Sequence, residues 1–125
     1  MPTSLTLSTK ILRDEGITYE IVEHRHHITR RKRDLFGFID ILALPPVGGI
    51  LGIQCGIGDR QVHLRKIAGP KRDVAEAWLY AGGRIEVWTW SRVRRAPRSP
   101  TDKRHEWKRV VDEITLGALA DAERS

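Results

Sequence analysis

The strongest constraint in this sequence is a pair of apolar segments separated by a short turn. Residues 35–44 (LFGFIDILAL) are almost entirely apolar, and residues 50–55 (ILGIQC) repeat that character after the sequence PPVGG. Continuous apolar runs of this length are typical of strands that are covered on both faces, and a cluster of Pro and Gly predicts a tight turn. The simplest interpretation is a buried β-hairpin within a sheet that is flanked by helices.

The rest of the chain alternates between helical and strand-like apolar spacing, which predicts an α/β fold with a mixed sheet. The predicted order is α-β-β-β-α-α-β followed by a small C-terminal addition. The predicted elements are a helix over 4–15, a strand over 17–23, the hairpin 35–55, a helix over 59–67, a second helix from about 70 to 81, a strand over 85–90, and a final edge strand within 105–114. Residues 24–33 and 92–104 are predicted to be loops.

The composition fits one globular domain. The chain has 125 residues of which 40% are hydrophobic, so we expect a single domain over 1–125, with its core over about 4–90 and a basic C-terminal addition over 91–125. No stretch approaches the roughly 18 apolar residues of a membrane span, and the first residues lack the pattern of a signal peptide. We therefore expect a cytoplasmic protein. Its single cysteine, Cys55, excludes an intrachain disulfide framework and a Cys-rich zinc module.

The positive charge is concentrated in two segments. Residues 24–33 and 92–109 together carry +11, whereas the net charge of the whole chain is +6, so the remaining residues carry −5. An acidic body with two basic segments favours a polyanionic partner, nucleic acid above all, although solvated basic loops are the alternative. The candidate DNA contacts are Arg25, Arg30, Arg31, Lys32 and Arg33 in the first segment, and Arg92, Arg94, Arg95, Arg98, Lys103 and Arg104 in the second.

Asp40 stands in the middle of the first apolar strand. A buried carboxylate is expensive without a partner, so we expect it to pair with a cation or to face a cleft. If the hairpin is centred on residue 47, opposed positions sum to 94 and Gln54 lies across from Asp40 on the same face. The two side chains are then a candidate site for a divalent metal ion.

The segment around Asp40 (FIDILAL), the turn and the second strand (LGIQCG) resemble the core of PD-(D/E)XK nucleases, in particular their small Holliday-junction resolvase-like and VRR-NUC-like domains of phage or archaeal type. In that family the first Asp and an acid of the second strand bind Mg²⁺, and a Lys two residues later assists the attacking water. The resemblance implies a restriction-endonuclease-like fold and an endonuclease that uses Mg²⁺ or Mn²⁺. It further implies branched DNA as the substrate. A subunit of 125 residues that must cut two strands usually works as a symmetric pair, so we expect a homodimer formed through a sheet edge or a Trp-containing face.

The sequence departs from the family pattern at three positions, of which the first, Ile39 in place of the usual Pro, is commonly tolerated. Gln54 stands in place of the second acid, and Gly56 stands where the lysine is expected. Lys66 or Arg65 of the following helix are candidates to supply the missing positive charge. An amide oxygen is a weaker ligand for Mg²⁺ than a carboxylate, so a second acid is needed as well.

Glu23 and Asp34 are the candidates for the missing acid. Asp34 lies six residues before Asp40 and therefore faces the same side of a continuous strand, unless Gly37 forms a bulge. The sequence leaves two other functions open. One is a catalytically degraded nucleic-acid-binding module of the same fold, and the other is a non-enzymatic phage structural or partner-binding protein.

Overall fold

A computed structural model describes residues 2–25, 28–29 and 31–124. These residues form four helices and seven strands. The helices are α1 (Ser4–Asp14), α2 (Arg60–Ala68), α3 (Arg72–Tyr80) and α4 (Leu116–Arg124), and the strands are β1 (Thr18–Ile21), β2 (His24–Arg25), β3 (Lys32–Arg33), β4 (Ile41–Leu44), β5 (Leu51–Ile57), β6 (Arg84–Arg94) and β7 (His105–Ile114). Within these residues, no helix combines the length and apolar character needed to cross a membrane.

Five strands form one mixed sheet in the order β1-β4-β5-β6-β7, and β2 and β3 form a separate short hairpin. β1, β4 and β5 are antiparallel neighbours, β5 and β6 run parallel, and β7 returns antiparallel to β6. The parallel pair requires a crossover connection, which α2 and α3 provide. The protein is thus a mixed α/β fold, in agreement with the sequence prediction.

The sheet separates two hydrophobic clusters. On one face Leu12 of α1 packs with Ile41, Ile53 and Trp88, and the Trp90 indole N–H donates to the hydroxyl of Ser8 at 2.9 Å. On the other face the helices α2, α3 and α4 contribute Ile67, Ala75 and Leu119, which pack against Ile85 and Val87 of β6. The apolar runs of the central strands are therefore covered on both sides, as their sequence predicts.

The hairpin register agrees with the prediction, but its first strand is shorter. Ile41 pairs with Ile53 and Ala43 with Leu51, so opposed positions do sum to 94. The prediction of strand throughout 35–44 is wrong for residues 35–39, which form a tight turn closed by a bridge between Leu35 and Ile39. A strand cannot continue through this segment because Phe36 and Gly37 both have positive φ, 55° and 81°.

The two predicted loops also contain strand. Residues 24–33 include the short β2–β3 hairpin, and residues 92–94 extend β6 as a long antiparallel ribbon with β7. Residues 91–125 therefore contribute a strand of the main sheet and a helix that packs on its α2–α3 face. Both basic segments leave the sheet at the same end. At this end β1 stops and β4 starts, and the parallel strands β5 and β6 also stop here.

Candidate metal centre

Asp40 immediately precedes β4, and its backbone is hydrogen-bonded to the segments on both sides. Its N–H donates to the carbonyl of Ile53 and its carbonyl accepts from Val22, both at 2.9 Å. The side chain is 1% exposed. Oδ2 accepts the backbone N–H of Cys55 at 2.9 Å, whereas Oδ1 is buried without a hydrogen-bond partner among the described residues. One carboxylate oxygen is thus anchored by the backbone, and the other faces the ammonium group of Lys32 at 3.7 Å.

The turn over residues 35–39 brings Asp34 back beside Asp40. The Gly37 N–H donates to the Asp34 carbonyl at 2.9 Å and the Ile39 N–H to the Leu35 carbonyl at 3.0 Å. The chain therefore reverses between the two acids. The expectation that the two acids lie on the same side holds, but through a turn and not through strand periodicity.

Glu23, which follows β1 by two residues, completes an acidic cluster. One carboxylate oxygen from each of Glu23, Asp34 and Asp40 lies within 4.8 Å of the others. Asp34 also has a buried oxygen, Oδ1, without a hydrogen-bond partner in the described part of the chain. Three convergent carboxylates, two of which have a buried oxygen without a hydrogen-bond partner in the described residues, have the donor chemistry of a site for a hard divalent cation.

Two lysines contact this cluster. Nζ of Lys32, from β3, lies 3.6 Å from Glu23, 3.8 Å from Asp34 and 3.7 Å from Asp40. Nζ of Lys66, from α2, lies 3.5 Å from Oδ2 of Asp34. Of the two helix cations considered from sequence, Lys66 reaches the cluster, while Arg65 is exposed on α2.

The cluster changes the ionisation of its members. Burial, followed by the proximity of the Asp34 carboxyl group, raises the pKa of Asp40 to about 7. Partial burial of Lys32 opposes its charge, but Asp40, Asp34 and Glu23 together raise the pKa of its ammonium group. Lys32 therefore remains protonated and compensates part of the negative charge.

The register of β4 with β5 ends at the pair Ile41–Ile53, so the predicted pairing of Asp40 with Gln54 is not part of the strand ladder, and the side-chain nitrogen of Gln54 contacts α2. Its Nε2 is 3.5 Å from Nδ1 of His63, and its Oε1 is buried without a hydrogen-bond partner within the described residues. Its role as a metal ligand therefore stays a prediction, whereas the acids Glu23 and Asp34 join Asp40 directly.

His63 also explains why position 56 is glycine. The imidazole ring of His63 occupies the space that a Cβ on Gly56 would need, and such a Cβ would overlap Nε2 of the ring. Burial, followed by the nearby ammonium of Lys66, lowers the pKa of His63 and keeps the ring neutral at pH 7. The position where a lysine is expected is thus covered by a neutral imidazole from the next helix.

The remaining predicted DNA contacts lie mostly on the surface. Arg31 and Arg33 are exposed, as are Arg92, Arg94, Arg98, Lys103 and Arg104, while Arg95 is half-buried. Asp102 organises the tip of the β6–β7 ribbon by accepting from Arg104 at 2.9 and 3.0 Å. Arg30 lies outside the described residues, and so does the side chain of Arg25.

Sequence reasoning placed Lys32 with the basic segment and did not connect it with the acids. The available signal was the position of Lys32, two residues before Asp34, in a segment bounded by Glu23 and Asp34. Its contact with three carboxylates depends on the β2–β3 hairpin, which the sequence pattern did not predict.

Comparisons of the chain with protein-family models, with curated proteins and with solved structures returned no match.

Proposed function

We propose that the protein is a metal-dependent endonuclease that hydrolyses phosphodiesters of DNA. The observation that carries this proposal is the cluster of Glu23, Asp34 and Asp40, in which two buried carboxylate oxygens lack hydrogen-bond partners within the described residues. The element order, an antiparallel β1-β4-β5 unit followed by a parallel β6, supports the proposed restriction-endonuclease-like fold.

The donor set fits Mg²⁺ or Mn²⁺ because it consists of hard carboxylate oxygens. Glu23, Asp34 and Asp40 would hold the ion, with Gln54 as a further candidate ligand. Mg²⁺ bound there would lower the pKa of a bound water and stabilise charge on a phosphoryl oxygen. The anchored Oδ2 of Asp40 fixes the orientation of the carboxylate, which limits the reorganisation needed on binding.

The lysines would act on the substrate phosphate. Lys32 and Lys66 lie beside the carboxylates and present ammonium groups to an oxygen that gains negative charge during hydrolysis. His63 is a neutral base next to Gln54. It is a candidate to accept a proton from the attacking water.

The charge distribution supports DNA as the polyanion. Both basic segments leave the sheet at the end where the acidic cluster lies, so their arginines are attached to the same end of the sheet as the cluster. Such cations bind phosphates without reading sequence. The preference for branched DNA and an intracellular, cytoplasmic place of action rest on the family resemblance and the sequence expectations alone.

The test is cleavage of a four-way junction, a flap and a linear duplex, with and without Mg²⁺. We expect cleavage only with metal, and its loss in Asp40→Asn, which keeps an acceptor for the Cys55 N–H. Asp14→Asn, which changes an exposed carboxylate on α1, is the matched control and should cleave normally. Equal cleavage by Asp40→Asn and the wild type would overturn the proposal.

A second candidate function is a metal-free DNA-binding module. The observation that favours it is Lys32, whose ammonium group already lies among the three carboxylates and partly neutralises them. Salt-sensitive DNA binding that is unchanged by Mg²⁺, without cleavage of any substrate, would identify this function.

We further propose a homodimer formed through β7. β7 is an edge strand of the main sheet, and residues 108–113 read KRVVDE. Antiparallel pairing with a second copy places the basic half of each strand opposite the acidic half of the other, with the exposed Val110 and Val111 at the centre. A dimer would supply the two sites needed to cut two strands.

A further inference from the structure

Phe36 is an exposed aromatic residue in an unfavourable backbone conformation. Its φ is 55° and that of Gly37 is 81°, the pattern of a type I′ turn, and Phe36 is 53% exposed. Asn-Gly is the usual sequence of such turns, whereas a bulky residue with positive φ is strained. Folding alone would therefore favour Asn or Gly at position 36. Strain of this kind is concentrated at functional sites.

The turn links Phe36 tightly to the acidic cluster. Phe36 is two residues after Asp34 and four before Asp40, and the Gly37 N–H is bonded to the Asp34 carbonyl. Lys71 crosses the turn so closely that a Cβ on Gly37 would lie 2.6 Å from its Nζ. Phe36 is thus followed directly by a glycine that contacts both Asp34 and Lys71.

Phe36 forms part of the wall of two adjoining cavities with different chemistry. One, of about 850 Å³, is lined by charged side chains that include Lys32, Asp34, Lys66 and Lys71. The other, of about 330 Å³, is an apolar slot lined by Phe36, Val74, Ala77, Trp78 and Ala81. Trp78 meets Phe36 edge to face, with ring centroids 6.1 Å apart.

We propose that Phe36 and the apolar slot bind an unpaired nucleobase of a DNA strand whose phosphates lie along Lys32, Lys66 and Lys71. The identity of the polyanion rests on the proposed function. A flat apolar ligand attached to a strong anion is complementary to an apolar slot beside three ammonium groups. In a continuous duplex the bases are stacked on each other, so the slot selects gapped, flapped or branched DNA over intact duplex.

The test measures binding in the absence of metal ion, so that it does not depend on cleavage. The probes are a gapped duplex with 2-aminopurine as the unpaired base and an intact duplex of the same length. The variants are Phe36→Asn, which suits the turn, and Tyr80→Asn, which removes an exposed aromatic residue that lines neither cavity. Thermal unfolding of each variant accompanies the binding measurement.

We expect Phe36→Asn to weaken binding of the gapped probe about tenfold, to abolish quenching of 2-aminopurine, and to leave duplex binding within about twofold of the wild type. Its melting temperature should stay within about 3 °C of the wild type or rise, because the turn strain is removed. Tyr80→Asn should behave like the wild type in both binding assays.

A residue with a merely structural role would give the opposite pattern, in which Phe36→Asn unfolds at lower temperature and both probes bind equally to wild type and variant. That result, or failure of the wild type to bind any DNA, would overturn the inference. Gapped-DNA binding that depends on Phe36 without cleavage would support the inference and overturn the nuclease. DNA cleavage at the same rate by the wild type and Phe36→Asn would support the nuclease and overturn the inference.

Discussion

The stability of the metal-free protein should fall as pH rises from about 4 to 7, and Asp40→Asn should remove that dependence. Asp40 has an ordinary pKa of 3.8 and a pKa of about 7 in the fold, because burial and Asp34 disfavour its charge. The unfolded chain thus releases the Asp40 proton at a lower pH than the folded chain. The contribution of Asp40 to stability is complete below pH 4 and is lost as pH rises through 7.

The size of the effect follows from the two pKa values. Each unit corresponds to about 1.4 kcal/mol, so the wild type loses on the order of 4 kcal/mol relative to Asp40→Asn between pH 4 and pH 8. The asparagine keeps an acceptor for the Cys55 N–H. Its amide group also offers a donor near Asp34, whose Oδ1 has no hydrogen-bond partner within the described residues.

Urea unfolding of both proteins at pH 4, 5, 6, 7 and 8 measures the difference directly. Excess Mg²⁺ at pH 8 should stabilise the wild type but not Asp40→Asn, because binding to the folded state adds to stability. Asp14→Asn, at an exposed ion pair, should differ from the wild type by less than about 1 kcal/mol throughout. If the free energies of unfolding of the wild type and Asp40→Asn run parallel from pH 4 to 8, the pKa of Asp40 is not raised in the folded protein.

Three further predictions concern other residues. Lys32→Met removes the ammonium group from the carboxylates and should tighten Mg²⁺ binding about tenfold in calorimetry while slowing cleavage; unchanged affinity would contradict competition between Lys32 and the ion. Gly56→Lys should unfold at lower temperature because His63 fills its space, and His63→Ala in the same chain should recover most of the loss; additive effects of the two changes would refute the steric account. Lys108→Asp should convert the proposed dimer to monomer in sedimentation because it faces Glu113 of the second copy, and the further change Glu113→Lys should restore the dimer; a dimer throughout would exclude this β7 interface.

The central hairpin was predictable because two apolar runs are joined by a short Pro/Gly turn. The position of this turn sets the register, in which opposed positions sum to 94. The same reasoning failed at residues 35–39 because Leu35, Phe36 and Phe38 look like strand residues. There a bulky residue adopts a conformation that local preference opposes, so no pattern of apolar spacing indicates the turn. Asp34 was nevertheless brought to Asp40, since both a strand and this turn place them on one side.

The acidic cluster was partly predictable. Asp40 is marked by its apolar neighbours, and Glu23 and Asp34 were the acids nearest to the predicted strand ends. Lys32 was not identified as a member, because a lysine within a basic run carries no sign that it faces inward. Its contact with the acids is set by the short β2–β3 hairpin, which is a tertiary feature. His63 was missed for the same reason, since only the packing of α2 on β5 covers Gly56.

The single parallel pairing between β5 and β6 has a consequence for how the chain folds. Residues 4–57 contain α1 and the meander β1-β4-β5, and residues 84–114 contain the β6–β7 hairpin, so each half is built from contacts close in sequence. The two halves meet along the β5–β6 seam and through α1, which packs on Trp88 and Trp90, and the α2–α3 crossover connects them. Pairing across a crossover is slow because the loop entropy is lost before the contacts form. We therefore expect alignment of this seam to limit the folding rate, and the acids, which all lie in the first half, to converge before it closes.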